Sequence, residues 1–183
     1  SRGLSYLKSL RVAHEAEVLE STGLGDVLAI SCGIGMAVRL RPGAPGVGLV
    51  DCKQLPPGVS ILALAVRSEH TRELIRYYIE RGLHEKAAPL IERIGDSMSF
   101  ELFSELVLKF NVDNGILRHL LGERGEEVIL KTPGLITAYG KKGVVVAVVE
   151  GDMLQDSINH LNSLGYKVYY LEPSRGGPEV WAV

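Results

Sequence analysis

Asp26 follows the glycine-flanked run Thr22-Gly23-Leu24-Gly25. Glycine lets a ligand come close to the backbone, and a carboxylate at the end of such a loop can accept a proton from a substrate hydroxyl. The same aspartate could instead cap the apolar segment that starts at Val27, and local features alone favour the cap. Glu15, Glu17 and Glu20 come just before it. Carboxylates there could share Mg²⁺ with phosphate oxygens, although such a cluster is more often a solvated face. Acidic groups near a helix C-terminus oppose the dipole, which makes this cluster somewhat more suggestive than a random charge run. Arg39 and Arg41 alternate on one face of a strand pattern, where they could grip a carboxylate or phosphate; an ordinary polar strand face is the plainer reading. Lys131-Thr132-Pro133-Gly134 and Ser174-Arg175-Gly176-Gly177 could offer N–H groups to an anion, but both read first as turns. The five histidines, His14, His70, His84, His119 and His160, have no ligand-like spacing and read as surface or packing residues.

These groups must be held by a modest chain. Its 183 residues suit one domain or one and a half, and a hydrophobic fraction of 46% is enough for a real core. The net charge of −2 argues against a dedicated nucleic-acid binder. Cys32 and Cys52 form no zinc motif and read as small buried apolar residues; a disulfide between them stays open, in a composition that otherwise looks cytoplasmic. No apolar run approaches the ~20 residues of a membrane span, so no membrane partner is expected. Neither a Walker loop nor a Gly-x-Gly-x-x-Gly fingerprint occurs. The chain opens with Ser1-Arg2-Gly3 and a helical pattern, as if entered in the middle. A homo-oligomer is left open.

In order, residues 4–21 read as a helix, with Leu4, Leu7, Leu10, Ala13, Ala16 and Leu19 on one drifting face. Residues 27–31 form a short apolar segment, strand or helix. Two short strands follow at 36–40 and 49–52, separated by the Pro/Gly loop 41–48. Leu55-Pro56-Pro57-Gly58 is the candidate boundary, since two prolines cannot extend a ladder. Beyond it the pattern predicts a strand over 60–67 and helices over 68–81, 85–94, 99–110 and 114–121. Asp113 is expected as the cap of the last of these helices and Gly122 as its stop. Strands are expected over 126–130, 135–139 and 144–149, then a helix over 152–164, a strand over 166–171 and an edge strand over 179–183. The order strand, helices, hairpin, helix, strand predicts an α+β class with a ferredoxin-like layer of helices on an antiparallel sheet. Residues 1–58 offer too little for a core of their own, so an exposed apolar face is expected there.

Taken together, several of these stretches resemble a known family. Ala13-His14-Glu15-Ala16-Glu17-Val18, Thr22-Gly23-Leu24-Gly25-Asp26-Val27, Cys32-Gly33-Ile34-Gly35 and Arg39-x-Arg41-Pro42-Gly43-Ala44-Pro45-Gly46 look like the middle of archaeal pantoate kinases, members of the GHMP small-molecule kinase superfamily. The resemblance covers residues 4–48; beyond residue 60 it is one of element order. It implies ATP- and Mg²⁺-dependent phosphorylation of the primary alcohol of pantoate, giving 4-phosphopantoate for coenzyme A synthesis. It implies Asp26 as the catalytic base and Glu17 as the metal ligand, with Glu15 an alternative. Thr22, Gly23 and Gly25 would contact substrate, and the charge and placement of Arg39 make it the candidate for the pantoate carboxylate. Residues 1–58 would be the remainder of the superfamily's N-terminal domain, of the ribosomal S5 domain 2-like type, and residues 59–183 its ferredoxin-like C-terminal domain. The Gly/Ser-rich phosphate loop of the family is not among these residues. It would lie upstream, in a missing N-terminal half supplied in cis or in trans, and this chain alone would be inactive. Rival readings are a GHMP kinase for another small alcohol and a non-enzymatic ligand-binding or regulatory ferredoxin-like domain.

Overall fold

A computed structural model of the chain describes residues 5–20, 25–33, 35–66, 71–95, 99–141, 143–163 and 165–173. The chain divides into two compact units, one formed by residues 1–55 with 173–183 and the other by residues 56–172. The change falls at Leu55 and Pro56, inside the Pro/Gly stretch. The edge strand expected over residues 179–183 lies outside the described residues, as do Ser68 and His70.

The first unit begins with α1 (Tyr6–Leu19) and α2 (Gly25–Cys32), followed by the antiparallel pair β1 (Met36–Arg41) and β2 (Leu49–Lys53). The segment after Gly25 is therefore a helix. Its apolar run is too short for periodicity to separate strand from helix, and packing against α1, β1 and β2 decides the matter. α1 buries Leu10 and His14 and half-buries Glu17. The drifting face expected from the sequence is not the buried one. A strict three-residue step falls behind the 3.6-residue turn, so Leu7 and Leu19 rotate into solvent at 42% and 77% exposure. Tyr6, Val12, Val18, Ile30, Val47 and Leu49 are also exposed, which gives this unit the open apolar surface its small size predicts.

The two cysteines, expected as small packing residues, are instead joined as a Cys32–Cys52 disulfide with Cα atoms 5.5 Å apart. No spacing rule announces such a pair. It forms because the end of α2 folds back onto β2.

The second unit runs β3 (Val59–Ala65), α3 (Thr71–Glu80), α4 (Leu83–Gly95), α5 (Phe100–Asp113), α6 (Ile116–Leu130), β4 (Leu135–Lys141), β5 (Val144–Glu150), a 3-10 turn (Gly151–Met153), α7 (Leu154–Ser163) and β6 (Lys167–Leu171). The sheet order β4-β5-β3-β6 is antiparallel throughout. This is the ferredoxin-like arrangement expected from the element order, in an α+β fold. Alternation places Leu62, Leu64, Ala138, Val145, Ala147 and Val149 on one face. They pack there against Leu117, Leu120 and Ile129 of α6 and Leu161 of α7. Each fully buried leucine contributes about 1.5–3 kcal/mol relative to exposure. Gly140 lies where α6 comes closest, and a Cβ there would collide with Leu120. α5 covers the edge strand β4: Asn111 Oδ1 accepts from the Gly140 N–H at 3.1 Å, and Thr137 Oγ1 donates to the Ser104 carbonyl at 2.9 Å. A sheet edge covered in this way cannot template pairing with another chain.

Two local expectations are corrected. Residues 126–130 are not a strand but the second half of α6. Glu126 is buried there and accepts from Arg118 Nε at 2.7 Å, while Ile129 enters the core. A run of only three apolar residues, Val128 to Leu130, is ambiguous until its neighbours are known. Asp113 does not cap a helix. It ends α5 and pairs with Lys109 at 2.7 Å, and α6 is entered through Gly115 at φ 66°. Gly122, at φ 75° and ψ 171°, does leave the helical conformation, so α6 is two helical pieces joined across a kink, the first ending at Gly122 as expected. Ser99 caps α5, accepting from the Leu102 N–H at 3.1 Å.

Among the described residues no helix is long and apolar enough to cross a membrane.

Candidate functional site

Glu15, Glu17, Glu20, Asp26, Arg39 and Arg41 lie in the first unit. On α1, Glu17 shares a stripe with Leu10 and His14, four and three residues apart, and is half-buried. Glu15 and Glu20 are exposed. The acidic trio is therefore not one group. Only Glu17 turns toward the protein.

Asp26 is half-buried in the first turn of α2, which opens at Gly25. It is thus a helical residue and does not cap the segment from Val27. A carboxylate in this turn complements the partial positive charge of the helix N-terminus. Thr22 and Gly23 lie outside the described residues. α2 packs on both α1 and β1, so the helix bearing Asp26 touches the helix bearing Glu17 and the strand bearing Arg39.

Arg39 and Arg41 are exposed on β1. Arg39 pairs with Val50 and Arg41 with Leu49, with a register irregularity between them. That irregularity breaks the strict alternation expected to put both on one face. Arg41 Nη2 turns back to the Val47 carbonyl at 3.4 Å. Arg39 has no hydrogen-bond or ion-pair partner among the described residues.

Two further polar residues of α1 bear on this unit, Arg11 and the histidine read from sequence as a surface or packing residue, His14. Arg11 Nε donates to the Pro45 carbonyl at 3.0 Å and holds the Pro/Gly loop. His14 is 9% exposed, and its Nδ1 is buried with no partner among the described residues. A buried, unpaired imidazole nitrogen in a protein interior is uncommon. The signal for it was the three-residue spacing from His14 to Glu17, which places both on one helical face.

The turn Lys131-Thr132-Pro133-Gly134 uses its amides internally. Lys131 N–H bonds Val128 O at 3.1 Å, Thr132 N–H bonds Ile129 O at 3.2 Å, and Leu135 N–H bonds Thr132 O at 3.1 Å. It is a helix end and a turn, not an anion cradle. Ser174 to Gly177 lie outside the described residues. A groove of about 720 Å³ along α5, lined by Phe100, Leu108, Val112, Leu130 and Ile136, holds none of the candidate residues.

Among the described residues no three His, Cys, Asp or Glu side chains converge as a metal cluster. Mg²⁺ bound with phosphates needs only one or two carboxylates, however. Glu17, a half-buried hard-oxygen donor near the Asp26 helix, fits that demand.

No family model matches the chain. A pantoate kinase from Thermococcus kodakarensis is 29% identical over 141 residues, which cover 76% of this chain and 46% of that kinase. A solved structure described as a phosphotransferase related to the CoA biosynthesis pathway superposes with a TM-score of 0.76 at 22% identity, covering 97% of this chain and 58% of that one. The chain thus spans about half the length of the relatives it matches. In sequence it is similar to a pantoate kinase; in fold it shares the α+β architecture of that phosphotransferase.

Proposed function

We propose that this chain works as the C-terminal part of a small-molecule kinase. It would transfer the γ-phosphoryl group of ATP to the primary alcohol of pantoate, in coenzyme A biosynthesis. On this reading residues 1–58 are the remainder of a GHMP-type N-terminal domain, and residues 59–183 are its ferredoxin-like C-terminal domain. The observation that carries the reading is the packing of α2 against α1 and β1. That packing gathers the elements bearing Asp26, Glu17 and Arg39 into one compact unit. The similarity to a pantoate kinase supports the choice of substrate.

Phosphoryl transfer asks the protein mainly for positioning and charge neutralisation. Asp26 accepts the proton of the attacking hydroxyl as the new O–P bond forms and ADP leaves. Its place in the first turn of a helix holds the carboxylate without a long, mobile stem. Arg39, exposed and without a partner among the described residues, binds the pantoate carboxylate and so fixes the distance from hydroxyl to phosphorus. Glu17 would hold Mg²⁺, which when bound would supply charge neutralisation for the phosphoryl group. Glu15, on the solvent side of α1, is the weaker choice of ligand.

The test is turnover of pantoate with MgATP, followed as ADP release, by the natural polypeptide that carries this chain. Asp26→Asn should abolish most of it. Near-wild-type turnover by that variant would remove Asp26 as the base. Inactivity of the wild type on pantoate, with turnover of another small alcohol, would overturn the substrate.

A further inference from the structure

α2 is attached unevenly. Val27 and Leu28, in its first half, are buried, whereas Ala29 and Ile30 are exposed. Two of the hydrogen bonds near its end, Ser31 Oγ to Leu28 O at 2.6 Å and Gly33 N–H to Ile30 O at 3.1 Å, close the helix on itself. Tyr6 Oη donates to the Ile30 carbonyl at 3.3 Å, but that contact is exposed to water. What ties the last residue of α2 to the sheet is covalent. Cys32 is bonded to Cys52 of β2, which pairs with Ala37 of β1. A helix of eight residues is marginal without tertiary support. The same short helix carries Asp26 six residues upstream of Cys32, about 9 Å along the axis at ~1.5 Å per residue.

We propose that the Cys32–Cys52 disulfide is a redox-sensitive clamp on α2, the helix that presents Asp26. Oxidised, it fixes the helix at both ends. Reduced, it leaves buried Val27 and Leu28 anchoring the first half and a water-exposed hydrogen bond at Ile30 in the second, and the helix frays from its C-terminal half. Both cysteines are half-buried, so a small dithiol or a dithiol protein can approach them. A thiolate of the reductant attacks one sulfur to form a mixed disulfide, and its second thiol resolves it. The reductant ends as a disulfide, and Cys32 and Cys52 each leave as a thiol carrying one added proton. The consequence for turnover rests on the reading of Asp26 as the base; the clamp itself does not.

The natural polypeptide is purified without reductant, digested under non-reducing conditions and mapped. Hydrogen exchange is then followed before and after a dithiol reductant, and again after reoxidation, in the wild type and in Cys32→Ser/Cys52→Ser. A linked Cys32–Cys52 peptide is expected. On reduction the amides of residues 28–32 should exchange roughly 10-fold faster or more, with protection of β3 and β5 unchanged. Reoxidation should restore protection in the wild type only. Two free thiols in the purified protein, or equal protection of α2 in both redox states, overturns the clamp. In the turnover arm kcat should fall several-fold on reduction at constant KM for ATP. Unchanged kcat with a loosened α2 overturns the positioning of Asp26. A protein inactive on pantoate in either state fails the functional reading alone, because the exchange arm still decides the clamp. Since the double variant could fold poorly, the reversible cycle of the wild type carries the decision.

Discussion

Arg11, in the middle of α1, donates from Nε to the Pro45 carbonyl oxygen at 3.0 Å. This single bond seats the Pro/Gly loop on the helix that carries His14 and Glu17. Gly46 completes the contact. At φ 80° it presents no side chain, and a Cβ there would stand 3.2 Å from Arg11 Nη2 and 3.2 Å from Leu7 Cδ1. Arg11→Ala should destabilise the first unit by about 0.5–1.5 kcal/mol, the usual net value of one hydrogen bond. Urea denaturation monitored by hydrogen exchange of residues 43–48 checks this. An unchanged midpoint, with the loop equally protected, would show that other contacts seat it.

Asp26→Asn keeps the size of the side chain and removes its capacity to take a proton. In the kinase reading, kcat should drop by roughly 10²–10⁴-fold, the range of a lost general base, while the melting temperature barely moves. Paired turnover and melting measurements separate the two effects. A large loss of stability would mark Asp26 as a structural residue of the α2 N-terminus.

Arg39 and Arg41 should differ although they are two residues apart. Arg39 has no partner among the described residues, whereas Arg41 is engaged with the Val47 carbonyl. Arg39→Ala is expected to raise the KM for pantoate roughly tenfold or more, as loss of a charge-assisted contact would, at constant KM for ATP. Arg41→Ala should act mainly on loop stability. Equal kinetic effects would count against Arg39 as the carboxylate ligand.

The kink in α6 holds a lopsided ion pair. Glu126 has 5% side-chain exposure and Arg118 60%, and their atoms lie 2.7 Å apart. The hydrogen bond to Glu126, and then its charge, raise the Arg118 pKa. The second Glu126 oxygen, Oε1, is buried without a partner among the described residues. Arg118→Ala should therefore destabilise more than Glu126→Leu. The first change strands a buried carboxylate, and the second removes the charge that needed pairing. Thermal melts of the two variants give the order directly, and the reverse order would refute this account.

Some elements were legible because their pattern depends on near neighbours alone. Residues 144–149 are β-branched and alanine throughout and form β5. The helix expected over residues 99–110, with Phe103, Leu106, Val107 and Phe110 three and four apart, is α5. Others were decided by distant partners. The segment 126–130 could be a strand or a helix until Arg118 and the sheet face claimed it. The inward face of α1 was misjudged because a three-residue apolar step and a 3.6-residue turn diverge over several turns.

By itself the sequence determined the antiparallel α+β second unit and the presence of a boundary near the prolines. It also put forward Asp26, Glu17 and Arg39 as candidate groups. Alternation, helical period and turn residues act over a few positions and need no knowledge of the rest of the chain. Only the tertiary structure decided that the segment after Gly25 is a helix, that Glu17 rather than Glu15 turns inward, that His14 is buried beside it, and that Cys32 meets Cys52. Each of these depends on which surfaces of α1, α2, β1 and β2 face one another, and that is settled by packing between residues far apart in the chain.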